Sequence, residues 1–219
     1  ISISIPEEDG HLENDKAFKN GVFTQTYVTP KDFLRPEHAG EDSKQSKRQI
    51  DLSIRIDGPE IDYDPFYLVK PPIILIHGLF SDATMWTKTG FVGYLTDNYH
   101  NIRKLIFPIS FDSDNHFSYN YGAIMLYIKN AIQKARENSF LGPIAVQKAD
   151  VVTHSMGGIL TNLYITSNFY RNDINRLITI ETPHSESNFA NFVLNLGYNS
   201  GLRNQLFFDL FSEVGWAWN

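Results

Sequence analysis

The chain has 219 residues and no cysteine, so disulfide frameworks, thiolate metal sites and a cysteine nucleophile are all excluded. That absence does not fix the compartment. There is no long Lys/Arg cluster either. With 19 basic and 25 acidic residues the formal net charge is −6, and a nucleic-acid partner would find no basic footprint for its phosphates. No uninterrupted apolar run reaches the roughly 20 residues that a membrane-spanning helix needs. The chain starts at Ile1, with neither a methionine nor a signal-like apolar segment, and reads as part of a longer polypeptide. What it does have is a 42% hydrophobic content, enough for one large domain or for one domain with a smaller appendage.

One stretch organises the rest, Asp150-Val151-Val152-Thr153-His154-Ser155-Met156-Gly157-Gly158. An apolar run ends in a small, glycine-rich turn, and a helical pattern follows. A strand, turn and helix of this kind bend the backbone so sharply that the apical side chain, Ser155, stands clear of its neighbours. The same bend places the Met156 amide at a helix N-terminus, where unpaired N–H groups and the helix dipole favour a developing oxyanion.

Residues 1–69 differ in texture, being charged and punctuated by Pro6, Gly10, Gly21, Pro30, Pro36, Gly40, Gly58 and Pro59. They read as a β-rich segment of short strands and loops. Ile1, Ile3 and Ile5 alternate with serines, Val22 to Val28 is rich in strand formers, and Ile50, Leu52, Ile54 and Ile56 alternate with polar residues. The turn Asp57-Gly58-Pro59-Glu60 predicts a hairpin into Ile61 to Val69. The mixed-charge run Glu41 to Arg48 reads as a solvated connection. The segment is either an antiparallel hairpin at the edge of the following sheet or the end of a separate β-sandwich module, and the module is favoured.

From residue 70 onward strands alternate with helices. Ile73-Ile74-Leu75-Ile76 is a continuous apolar run, as expected of a parallel strand covered on both faces. Ser81 or Asp82 is placed to cap a helix carrying Met85, Trp86, Phe91, Val92 and Leu95. A strand over Lys104 to Ile109 ends near Pro108. The loop Asp112 to Phe117 reads as a solvated cleft border, its Asp112, Asp114 and His116 being no metal site. Tyr121 to Asn138 forms an amphipathic helix. Ala149 to Thr153 is the elbow strand, Ile159, Leu160, Leu163 and Tyr164 the buried face of the helix after it, and Leu177 to Ile180 a further buried strand. Two apolar helical faces follow, Phe189, Phe192, Val193 and Leu196, then Leu202, Leu206, Phe207, Leu210 and Phe211, as cap or core helices. The tail Trp216-Ala217-Trp218 has no obvious place to be buried. The pattern is that of an α/β domain over 70–219, a mostly parallel sheet flanked by helices.

Thr153-His154-Ser155-Met156-Gly157 resembles the nucleophile elbow of α/β-hydrolases, particularly the lipase and esterase branch, with Thr153 where that family usually has glycine. His77-Gly78-Leu79 resembles the turn after its third strand, and Thr182-Pro183-His184 the turn after its sixth. The resemblance covers about residues 70–186. It implies Ser155 as the catalytic nucleophile, with the backbone N–H groups of Leu79 and Met156 forming an oxyanion hole and His77 shaping its loop rather than acting as a base. A serine hydroxyl needs a histidine and a carboxylate to activate it. In family order these follow the serine, and the only later histidine here is His184. The hydrolase core therefore reads as C-terminally incomplete, with triad acid and base downstream of Asn219 and with His184 or His116 as rivals for the base.

The implied function is hydrolysis of carboxylic esters, lipid or acyl, through an acyl-enzyme, with no cofactor and no metal. An acyltransferase, or a hydrolase-like binding domain without a complete triad, are the alternatives. The order of short strands before the core is similar to immunoglobulin-like repeats that precede hydrolase domains in large exported bacterial proteins, which suggests a secreted or cell-surface protein.

Overall fold

A computed structural model describes residues 1–61, 66–112, 117–138 and 144–182. Asp114 and His116, Pro183 and His184, both later helical faces and the Trp216 to Trp218 tail lie outside the described residues. In chain order the elements are β1 (Ser2–Ser4), β2 (His11–Leu12), β3 (Ala17–Lys19), β4 (Val22–Thr24), β5 (Tyr27–Val28), α1 (Ala39–Asp42), β6 (Lys47–Ile50), β7 (Ser53–Arg55), β8 (Phe66–Val69), β9 (Ile73–Ile76), α2 (Met85–Lys88), α3 (Phe91–Asn98), β10 (Ile106–Ile109), α4 (Phe117–Arg136), β11 (Ala149–His154), α5 (Met156–Thr166) and β12 (Ile174–Ile180). They fall into two compact units, residues 1–71 with 92–105, and residues 72–91 with 106–219.

The first unit is built of short antiparallel pairs, β1 with β7, β2 with β5, β3 with β4, and β6 with β8. The β3–β4 hairpin turns at Asn20-Gly21, whose φ values of 54° and 77° give the two left-handed residues that a tight hairpin turn requires. The run expected from Val22 to Val28 is divided into β4 and β5. The alternating stretch from Ile50 to Ile56 is divided too, because the Asp51 amide is diverted to Asp9 Oδ2 at 3.0 Å and leaves the ladder. The turn at Asp57 is present, with the Ile61 amide donating to Ile54 at 2.9 Å.

The run from Glu41 to Arg48 is not a solvated connection. Asp42, Ser46 and Arg48 are 2%, 1% and 5% exposed. Arg35 donates through Nε and Nη2 to both carboxylate oxygens of Asp42, each at 3.0 Å. Arg48 pairs with the fully buried Asp9 and donates to the Phe33 carbonyl at 2.8 Å. Buried charges persist only when paired and hydrogen-bonded, and here the partners come from segments that the local pattern does not connect.

In the second unit a parallel sheet runs in the order β10-β9-β11-β12. Central β9 sets Ile74 opposite Val151 on one side and Phe107 on the other, and Ile74, Leu75 and Ile76 have no exposed surface. An unalternating apolar run thus forms a strand covered on both faces. Ile124, Ile128 and Ile132 of α4 and Leu160 and Tyr164 of α5 complete the core against it.

Local details differ from the sequence pattern. The helix expected across Met85 to Leu95 is broken into α2 and α3 at Gly90, whose φ of 79° no helix accommodates. Pro108 lies inside β10 instead of ending it, tolerated because β10 is the outer strand among the four described. Helix α4 begins earlier than Tyr121. Leu163 is 41% exposed, since the face of α5 that turns inward runs through Gly157, Leu160, Thr161 and Tyr164. No helix among the described residues is long and apolar enough to cross a membrane.

Candidate active site

Strand β11 ends at His154 and α5 starts at Met156, so Ser155 alone makes the turn. Its φ of 48° and ψ of −122° lie outside the strand and helix regions. Such a conformation costs a non-glycine residue roughly 1–3 kcal/mol and persists only where the surroundings over-determine it. The end of β12 does so. The Ser155 amide donates to the Ile180 carbonyl at 2.9 Å, and the Ser155 carbonyl accepts from the Gly158 amide and from Thr182 Oγ1, both at 3.1 Å.

Three glycines permit this approach. A Cβ on Gly157 would lie 2.5 Å from the His77 carbonyl oxygen, and one on Gly158 would lie 2.2 Å from Thr182 Oγ1. A Cβ on Gly78 would come within 2.9 Å of Ser155 Cβ, so the turn after β9 rests directly against the serine. Thr153, at the position where glycine is usual, is fully buried in β11 between Ile76 and Thr179.

Ser155 is half-buried, and no side chain among the described residues hydrogen-bonds its hydroxyl. Met156 is the first residue of α5, so its amide has no carbonyl one turn back to bind. Leu79 directly follows the Gly78 contact and packs in part against the core. Phe80, next along, has a φ of 52° and is 46% exposed. Of the three residues singled out from sequence, Ser155 and Leu79 thus lie at two turns in contact through Gly78, and Met156 opens the helix after the first.

Two histidines flank the elbow. His77 is fully buried; its Nε2 accepts the Phe111 amide at 3.3 Å, which puts the proton on Nδ1, where it donates to the Gly78 carbonyl at 2.8 Å. Burial, the main influence, lowers its pKa below the ordinary histidine value, and the bond to Gly78 acts in the opposite direction. With both nitrogens used on backbone, His77 orders the loop. His154 Nε2 lies 3.4 Å from Glu181 Oε2, and its Nδ1 is buried with no hydrogen-bond partner among the described residues.

The clasp of Ile180, Glu181 and Thr182 on the elbow was not read from the sequence; the only local signal was the Thr-Pro-His turn. No group of three or more His, Cys, Asp or Glu suited to a metal ion occurs among the described residues.

A family model described as PGAP1-like alpha/beta domain matches residues 68–207. Among solved structures, the lipase BlEst2 from Bacillus licheniformis in its mature form is similar at 23% identity and a TM-score of 0.43, over 59% of this chain and 46% of that one. An extracellular alpha/beta-hydrolase from a Paenibacillus species is similar at 13% identity and a TM-score of 0.35, over 52% of this chain and 41% of that one. A gene product from Listeria innocua is similar at 17% identity and a TM-score of 0.35, over 52% of each chain. The matched part therefore spans about half, or less, of each of these structures. No curated protein matches the chain in sequence.

Proposed function

The chain belongs to the PGAP1-like alpha/beta domain family, an α/β-hydrolase type, and from that premise we propose that it hydrolyses carboxylic esters of apolar acyl groups through an acyl-enzyme on Ser155. The observation that carries the reading is the strained backbone of Ser155 at the head of α5, with the Gly78 turn pressed against its Cβ. Strain of this kind is retained where a side chain must be presented to a reactant.

In the proposed reaction Ser155 Oγ attacks the ester carbonyl carbon while its proton passes to a general base. The tetrahedral oxyanion is received by the Leu79 and Met156 amides. The carbon–oxygen bond to the alcohol then breaks, the base returns its proton to the leaving oxygen, and water hydrolyses the acyl-enzyme by the same steps. Neither His77 nor His154 hydrogen-bonds the serine hydroxyl, and His77 is held by backbone on both nitrogens, so the base is assigned outside the described residues, where the rivals His116 and His184 lie. Phe80, two residues past the Gly78 contact with the serine and 46% exposed, supports an apolar substrate.

The test is covalent labelling of the full-length chain with a fluorophosphonate, together with turnover of p-nitrophenyl esters of increasing chain length. Adduct on Ser155 and hydrolysis of the esters are expected. A chain that turns over esters unlabelled, or is labelled elsewhere, would overturn the reading, and labelling without water-dependent turnover would favour acyl transfer to another alcohol.

A further inference from the structure

Thr182 stands outside the proposed chemistry yet touches the elbow twice. Its hydroxyl donates to the Ser155 carbonyl at 3.1 Å. Its side chain also occupies the space that a Cβ on Gly158 would need, with Oγ1, Cγ2 and Cβ at 2.2, 2.6 and 2.9 Å from that point. The Ser155 carbonyl and the Met156 amide are two ends of one peptide unit, and in a trans peptide they point in opposite directions. Whatever fixes the carbonyl therefore aims the N–H. A hydrogen bond to the carbonyl also polarises the unit and strengthens its N–H as a donor.

The Gly78–Leu79 peptide repeats the arrangement, with the Gly78 carbonyl accepting from His77 Nδ1 at 2.8 Å. Each candidate oxyanion amide thus belongs to a peptide whose carbonyl is held by a side-chain donor. On the Ser155 side the neighbouring peptide is pinned as well, by the bond from the Ser155 amide to Ile180.

We propose that Thr182 is a positioning residue for the reaction, its hydroxyl setting the direction and donor strength of the Met156 amide through the Ser155 carbonyl. This rests on the reading of Ser155 as the nucleophile. The Gly158 amide also donates to that carbonyl, so loss of the Thr182 hydroxyl loosens the peptide without freeing it. The effect is accordingly smaller than the 10²- to 10³-fold lost with an oxyanion donor itself.

The test compares Thr182→Val, which removes the hydroxyl and keeps the shape, with Thr182→Ser, which keeps the hydroxyl, and with Ser155→Ala, all in the full-length chain. Fluorophosphonate labelling rate and p-nitrophenyl butyrate kinetics are the readouts. Thr182→Val should slow labelling and lower kcat by about tenfold, the worth of one hydrogen bond, with KM nearly unchanged and every chain still labelled at completion. Thr182→Ser should restore the wild-type rate. A Thr182→Val chain that reacts at the wild-type rate, or a Thr182→Ser chain as slow as Thr182→Val, overturns the proposal. So does a loss confined to the fraction of chains that label, since that reports only misfolding. If Thr182→Val does not fold, Thr182→Ala is read by the same criteria. Labelling that survives Ser155→Ala sinks the nucleophile and this proposal together, whereas labelling on Ser155 that ignores Thr182 sinks this proposal alone.

Discussion

The imidazole of His77 lies flat against the ring of Phe111, with centroids 4.1 Å apart and planes 11° from parallel, and it accepts the Phe111 amide on Nε2. The end of β9 is thereby joined to the loop after β10. The arrangement exists only for the neutral ring, because a protonated Nε2 cannot accept.

A pH dependence of stability follows. Unfolded, His77 titrates near the ordinary value of about 6.5, while burial lowers its folded pKa below that. Below about pH 6.5 the unfolded chain binds more protons than the folded one, so stability falls with acidification through that window and is fully present above it. Urea unfolding at pH 5 and at pH 7.5 measures the difference. His77→Gln should narrow it relative to wild type; an unchanged difference would remove His77 as its source.

Gly158 and Thr182 should be strongly coupled. The three nearest atoms to a Cβ on Gly158 all belong to the Thr182 side chain. Gly158→Ala should cost about 1–3 kcal/mol by overpacking. Paired with Thr182→Gly, most of that cost should disappear, and a double-mutant cycle measures the coupling. Additive costs would mean that the crowding comes from elsewhere.

Strain at Ser155 predicts a trade between stability and activity. Ser155→Gly relieves the φ of 48° and should stabilise the fold by about 1 kcal/mol while abolishing fluorophosphonate labelling. Ser155→Ala keeps the backbone cost, so its melting temperature should stay near wild type, while ester turnover falls on the order of 10⁶-fold as in comparable triads. Glycine and alanine variants of equal stability would argue against strain at the elbow.

The buried ion pairs of the first unit predict acid sensitivity of a different kind. The two hydrogen bonds from Arg35 hold the Asp42 carboxyl below its ordinary pKa. Its contribution is present above about pH 3.9 and is lost as the pH falls through the lower folded value. Asp42→Asn leaves Arg35 and Arg48 short of a countercharge and should cost about 3 kcal/mol at neutral pH. It should also flatten the acid limb of the unfolding curve below pH 4, which circular dichroism can follow.

Much of the second unit was legible from local pattern. An unbroken apolar run such as Ile73 to Ile76 has few ways to be buried on both faces except as an inner parallel strand, and period 3.6 marked α4 to within a few residues. The bend at Ser155 was legible as well, from an apolar run ending at two glycines, although Gly157 and Gly158 make room for the end of β9 and for Thr182 rather than for β11. Harder to read were the limits of α2 and α3, decided by one left-handed glycine, and the first unit, where strands of two to four residues carry too little periodicity to fix their ends.

Among the described residues, sequence by itself determined the chain order of strands and helices in the second unit and the residue at its sharpest turn, since both follow from hydrophobic period and from the few residue types a tight bend admits. Only the tertiary structure decided that Ile180 and Thr182 clasp Ser155 across more than 24 positions, and that Arg48 is buried against Asp9 at a separation of 39. Those contacts depend on which segments the fold brings together, and a hydroxyl or a guanidinium carries no mark in the chain of the distant carbonyl or carboxylate that will satisfy it.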